Sequence, residues 1–190
     1  NLTGHINWVR SMIINKENEL ISGSTDGTIK IWNMTTGEFK RNLLVNHPGL
    51  IYSLVMNKNN ELISGSNDKI IRIWNMTTGV IIRTLSGHSN PIFSLIINKD
   101  NELISGSGEN TIKVWNMTTG ECKRNITGHT SGVNALIINK FDELISGSSD
   151  KTIRIWNMTT GECKRIITGH SGSIFTLAVN ENNEIFSGSS

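Results

Sequence analysis

The histidines of this chain, His5, His47, His88, His129 and His170, recur about 41 residues apart, each accompanied in its unit by serines. The first four units add an acid. A hydroxyl, an imidazole and a carboxylate are the parts of a nucleophilic triad, and recurring imidazoles and carboxylates are the parts of a metal site. Repetition argues against both. An active site is usually one constellation in one pocket, whereas this set returns in every unit, as a structural strut would. The expectation is a protein that is not an enzyme and holds no metal or cofactor.

Cys122 and Cys163 occupy one position of two successive units, beside basic residues, and indicate neither a disulfide framework nor a redox pair. The sequons at Asn33, Asn75, Asn116 and Asn157 would matter only in a secreted chain. The opening NLTGHINWVR lacks the parts of a secretory signal, and no apolar run approaches the ~20 residues that span a bilayer. A cytoplasmic protein, or a nuclear one, with no membrane partner is expected. Eighteen basic residues against 16 acidic give a net charge of +2, which argues against nucleic acid as the partner of the whole. Lys40-Arg41, Arg83, Lys123-Arg124 and Lys164-Arg165 nevertheless form a basic stripe. It reads first as protection of an edge strand, and in the alternative as a contact for RNA or an acidic partner.

The elements that must position these residues follow from the repeat. LISGSTDGTIKIWNMTTGE returns three times with few changes, and Trp32, Trp74, Trp115 and Trp156 keep the same spacing. Within a unit the apolar residues form short β-branched runs between turn letters, and no segment sustains a helical period. The first unit predicts strands over 8–15, 20–24, 28–33 and 38–44. Asp26-Gly27 supplies residues that tolerate a left-handed tight turn, and Gly37, Gly79, Gly120 and Gly161 serve the next turn. Each unit is thus an antiparallel four-stranded meander that must bury its two apolar faces against its neighbours. Blades are expected over 6–44, 48–86, 89–127 and 130–168, with a half blade over 171–190, in one region covering 1–190. A start without Met and a stop at IFSGSS read as a fragment, whose ring would be closed by further blades or another copy.

The pattern GH, then SGSxD, then IW about 27 residues after the His closely resembles the WD-repeat β-propeller family over essentially the whole chain. Asn33, Asn75, Asn116 and Asn157 stand where the family's namesake has Asp, Asn46 replaces a glycine, and the third turn has Glu109-Asn110. The resemblance implies an all-β propeller and, in each blade, a hydrogen-bonded chain of Trp, strand Ser, turn acid and His. Its members here are His5, Ser22, Asp26 and Trp32; His47, Ser64, Asp68 and Trp74; His88, Ser105, Glu109 and Trp115; His129, Ser146, Asp150 and Trp156; then His170. Strand pairing about Asp26 puts Ser22 opposite Lys30 and on the face of Trp32, so the serine is expected between the indole N–H and the carboxylate. Ser24 and its equivalents are the alternative serines.

Residues that differ between copies are those to which the blade is indifferent. In the propeller architecture, the third residue after each His faces the top surface: Trp8, Leu50, Pro91, Gly132 and Ser173. The fifth lines the channel mouth: Arg10, Tyr52, Phe93, Asn134 and Phe175. Thr25, Asn67, Gly108 and Ser149, just before the turn acid, share the rim. Aromatic, apolar and cationic side chains gathered at one end have the composition of binding hot spots. The expected function is a non-catalytic scaffold or adaptor that takes a protein or peptide partner on this face. Nucleic-acid binding through the stripe and a purely structural role are the alternatives. Trp74 is expected to be interior, so that Trp74→Ala costs ~3–5 kcal/mol.

Overall fold

The computed structural model describes residues 3–43 and 49–190, and every regular element within them is a β-strand. Asn46 and His47 lie outside the described residues. Among the described residues no helix is long and apolar enough to cross a membrane, which says nothing of β-barrels. The first sheet comprises β1 (Val9–Ile14), β2 (Glu19–Ser24), β3 (Ile29–Asn33) and β4 (Phe39–Asn42). The second comprises β5 (Ile51–Met56), β6 (Glu61–Ser66), β7 (Ile71–Asn75) and β8 (Ile81–Leu85). The third comprises β9 (Ile92–Ile97), β10 (Leu103–Ser107), β11 (Ile112–Trp115) and β12 (Cys122–Ile126). The fourth comprises β13 (Val133–Ile138), β14 (Leu144–Ser148), β15 (Ile153–Trp156) and β16 (Cys163–Ile167). A final pair holds β17 (Ile174–Val179) and β18 (Ile185–Ser189). Each sheet keeps sequence order and antiparallel pairing, the meander that the turn letters predict.

The chain divides into two compact units, Asn1–Gly87 and His88–Ser190. In the first, Ile21, Ile29, Ile31 and Leu43 of one sheet pack against Ile51, Leu54, Leu62, Trp74 and Met76 of the next. Trp74 is 1% exposed. In the second, Ile104, Ile112, Val114 and Ile126 meet Val133, Leu136, Leu144 and Trp156, and beyond these Ile145, Ile153 and Ile155 meet Ile174 and Leu177. The LISGS strands β10 and β14 are buried on both faces, as sandwiched sheets require.

The glycine of LISGS has a steric reason. A Cβ on Gly23 would lie 2.6 Å from Ile51 Cγ2, and one on Gly147 would lie 2.6 Å from Ile174 Cγ2. Only a bare backbone lets the innermost strand of the following sheet come so close. The abundance of asparagine also has a cause, because Asn side chains close local turns. Asn15 Oδ1 accepts the Glu19 N–H at 2.8 Å, and Asn33 Oδ1 accepts the N–H groups of Thr35 at 2.8 Å and Thr36 at 3.1 Å. The same bonds recur from Asn57 and Asn75, so Asn at the namesake position serves as the acceptor that caps the following turn.

Candidate partner-binding rim

The polar chain of each blade starts from the Trp. In the first blade the Trp32 indole N–H donates to Ser22 Oγ at 2.8 Å, Ser22 Oγ meets His5 Nε2 at 2.8 Å, and His5 Nδ1 meets Asp26 Oδ2 at 2.8 Å. The fourth blade repeats this through Trp156, Ser146, His129 and Asp150 at 2.8, 2.7 and 2.7 Å. The order differs from the sequence expectation. The imidazole, not the serine, touches the carboxylate, because the ring spans the gap between the strand hydroxyl and the hairpin turn. Ser24, the alternative serine, accepts the Asp26 N–H at 3.0 Å and shapes the turn.

Glu109 closes the third blade's chain in place of Asp. It meets His88 Nδ1 at 2.8 Å and accepts the hydroxyls of Ser89 and Thr111, each at 2.6 Å, while Ser105 links His88 Nε2 at 2.6 Å to Trp115 Nε1 at 2.8 Å. In the second blade Trp74 donates to Ser64 at 2.9 Å and Asp68 pairs with Arg72 at 2.8 Å, while His47 lies outside the described residues. In the half blade His170 Nε2 meets Ser187 Oγ at 2.7 Å. Burial, opposed by the neighbouring acid, lowers the pKa of His88 and of His129. Both rings are therefore neutral at pH 7, with Nδ1–H donated to the carboxylate and Nε2 accepting from the serine. Burial pushes the Asp26 carboxyl up, but hydrogen bonds from Thr28, His5 and the Ile6 N–H outweigh it and hold the group down at about 2. Ser146 is 0% exposed and bonded on both sides, so it is a strut and not a reachable nucleophile.

The variable residues sit on a second repeated device. Pairing between the first two strands of each sheet slips by one residue, and the extra residue is Arg10, Tyr52, Phe93, Asn134 and Phe175 in turn. A bulge frees its extra residue from the ladder and re-aims its side chain. Beside each bulge, the N–H of the residue before the turn acid donates to the carbonyl of the third residue after the His position. Thr25 thus joins Trp8 at 2.9 Å, Asn67 joins Leu50 at 3.1 Å, and Gly108 joins Pro91 at 2.9 Å. Ser149 joins Gly132 at 2.9 Å, and Ser190 joins Ser173 at 3.2 Å. Three sequence positions therefore share one rim in every blade.

Their side chains differ in what they do. Trp8 is 70% exposed and Phe175 58% exposed, while Arg10 is exposed with its guanidinium 5.1 Å from the Trp8 ring centre. Phe93 is half-buried, and its Cε2 would stand 3.2 Å from a Cβ on Gly108 and 3.5 Å from one on Gly132. Those two glycines make room for the ring. Asn134, expected to orient a partner, donates its Nδ2 to Ser149 Oγ and to the Ile174 carbonyl, both at 2.9 Å. It ties the fourth blade to the half blade, and only its Oδ1 is left to accept.

The outer strands are engaged differently. Lys40, Lys123 and Lys164 donate to Glu19, Glu102 and Glu143 of their own sheets, and Arg41 and Arg124 reach the carbonyls of Met76 and Met158. Cys122 and Cys163 are free thiols on exposed strand positions. Among the described residues no three His, Cys, Asp or Glu side chains are grouped to hold a metal.

Two features escape a reading of motifs. The bulge leaves a signal in each first strand, where apolar residues follow a spacing of three and then two, as in Ile51, Leu54 and Met56, and not strict alternation. The other is a bond between blades. Ser11 Oγ accepts the Leu54 N–H at 3.0 Å, and Ser94 Oγ accepts the Leu136 N–H at 3.1 Å.

Comparison with known proteins agrees with this architecture. The family model for the WD domain, G-beta repeat (WD40) matches residues 1–33, 38–75, 79–116, 120–157 and 161–190. The crystal structure of the WD40 β-propeller domain of Doa1 superimposes with a TM-score of 0.89 at 31% identity, covering 99% of this chain and 62% of that one. Pre-mRNA-splicing factor prp46 of Emericella nidulans is 46% identical over 43 residues, which is 22% of this chain and 10% of the relative. The pleiotropic regulator PRL2 of Arabidopsis thaliana is 49% identical over 43 residues, 22% of this chain and 9% of the relative. The chain thus aligns with about a tenth of the length of these curated relatives.

Proposed function

The chain belongs to the WD40 family, and from that premise we propose that its blades form one propeller region, 1–190, that works as a non-catalytic scaffold. A protein or peptide partner binds on the rim, where Trp8, Arg10, Leu50, Tyr52, Pro91, Phe93, Asn134, Phe175, Thr25, Asn67 and Ser149 stand. One observation carries this reading: the residues that change from copy to copy coincide with the bulge and with the rim hydrogen bond beside it. A device that holds the backbone constant while releasing one side chain per blade is suited to recognition. The exposed ring of Trp8 supplies rigid apolar area at small entropic cost.

The engaged lysines of the outer strands favour edge protection over RNA binding. Relatives named as pre-mRNA-splicing factors fit a place inside the cell. Selection of peptides from a random display library tests the proposal. Selected peptides should lose at least about tenfold in affinity on Trp8→Ala or Phe175→Ala and keep it on Lys123→Ala, with a shallow salt dependence. Peptides that respond to Lys123→Ala and to salt, but not to the rim variants, would refute it.

A further inference from the structure

We infer that Trp8 and Arg10 form a seat for an anionic group, a carboxylate or a phosphate, carried by the peptide partner; this rests on the rim being the binding face. Arg10 is the extra residue of the first bulge, so no ladder bond dictates its side chain. Its guanidinium carbon lies over the Trp8 ring, 5.1 Å from the ring centre and within cation–π range, so the indole face holds the cation in place. Among the described residues it has no hydrogen bond and no ion pair. That sets it apart from Arg41, Arg72 and Arg124, whose guanidinium groups meet a carbonyl or a carboxylate.

The bulge itself does not ask for a cation, because its other four residues, Tyr52, Phe93, Asn134 and Phe175, are uncharged. The acid in the adjoining turn does not serve as a counter-ion. Asp26 is 3% exposed in its side chain and is engaged with His5, Thr28 and the Ile6 N–H. In the fourth blade the bulge residue Asn134 bonds the Ile174 carbonyl of the following sheet, whereas Arg10 lies over the Trp8 ring of its own rim.

A guanidinium held against an indole, with its N–H groups unengaged, is the donor fork that recognises carboxylate or phosphate in a bidentate manner. The Trp8 ring flanks it and is 70% exposed, so the anion should sit next to an apolar side chain of the partner. The charge complement of this patch is therefore a short acidic or phosphorylated segment with an apolar neighbour.

The test uses the whole chain on four nonapeptide arrays, randomised except for a central Glu, Gln, phosphoserine or Ser. Retention on the Glu or phosphoserine array should exceed its neutral counterpart by about tenfold, and Arg10→Gln should remove that excess. Both positions are exposed, so the variants keep the fold, which circular dichroism checks. Preference for phosphoserine alone identifies phosphate, and equal preference for Glu identifies any carboxylate-like anion. Equal retention on charged and neutral arrays that falls on Phe175→Ala overturns the anion seat and leaves the rim reading standing. Excess retention that survives Arg10→Gln also overturns it. No retention on any array, or displacement of every array by a mixed-sequence RNA, overturns both readings.

Discussion

Replacing Ser146 by alanine removes one oxygen from the centre of the fourth blade's strut. That oxygen accepts the Trp156 indole N–H at 2.8 Å and meets His129 Nε2 at 2.7 Å. Ser146 is 0%, Trp156 1% and His129 7% exposed, so water cannot replace the lost partner without opening the blade. Each lost bond is worth ~0.5–1.5 kcal/mol net, and each buried group left unpaired costs ~1–3 kcal/mol. The two figures overlap, since the net value of a bond already contains part of the desolvation term. The expected loss is about 3 kcal/mol. Urea unfolding followed by far-ultraviolet circular dichroism and tryptophan fluorescence measures it. Adding Trp156→Phe removes the indole donor that Ser146→Ala orphans, so the double variant should be about 1 kcal/mol more stable than the two single losses sum to. A single-variant loss under about 0.5 kcal/mol, or strict additivity, would refute the view that the chain of bonds acts as one unit.

Acid should unfold the protein in two stages. The folded pKa of His88 and of His129 is depressed by burial, so the unfolded state binds more protons; their contribution is present above pH 6.5 and is lost as pH falls below it. Asp26, held at about 2 against an ordinary 3.8, adds stability that is present above 3.8 and lost as pH falls toward 2. A urea midpoint that stays flat from pH 7 to pH 5 would contradict the first stage. Lys69 and Lys151 occupy left-handed turn positions at φ 72°, where the first blade has Gly27 at φ 80°. Relief of strain there exceeds the added chain entropy of glycine, so Lys69→Gly with Lys151→Gly should stabilise by about 1 kcal/mol in the same urea assay. Where Ser11 and Ser94 accept an N–H from the next blade, the fourth blade has buried Ala135. Ser94→Ala should cost about 1 kcal/mol, and Ala135→Ser should slow amide exchange at Leu177. Gly147→Ala, whose new methyl would meet Ile174 Cγ2 at 2.6 Å, should cost ~1–3 kcal/mol and open the fourth and fifth sheets to exchange.

What could be read from the letters was whatever repeats within one strand or turn. The meander follows from β-branched runs between Asn, Asp and Gly turns, and its central hairpin is visible in LISGSTDGTIKIWNMTTGE alone. The strut residues were legible because their spacing recurs and a hairpin about Asp26 puts Ser22 on the face of Trp32, as the pairing of Ser22 with Lys30 shows. Its order was not legible. Sequence places His5 at the end of a loop, and only coordinates show that loop carrying the imidazole between serine and acid. Contacts between sheets were hidden for a related reason. The closeness of Gly23 to Ile51, the Ser11 bond to Leu54 and the reach of Arg41 to Met76 each join residues one repeat apart, at a distance set by stacking and not by local pattern. The bulge falls between these cases. Its spacing of three and then two is in the sequence, but a pure alternation template reads it as noise, although that one extra residue per blade gives the rim its variety. Variation between copies and invariance between sheets thus have a single origin. The bulge uncouples one side chain from the ladder, so Arg10 can become Tyr52 or Phe93 while the neighbouring Ile51, Ile92 and Val133 stay buried.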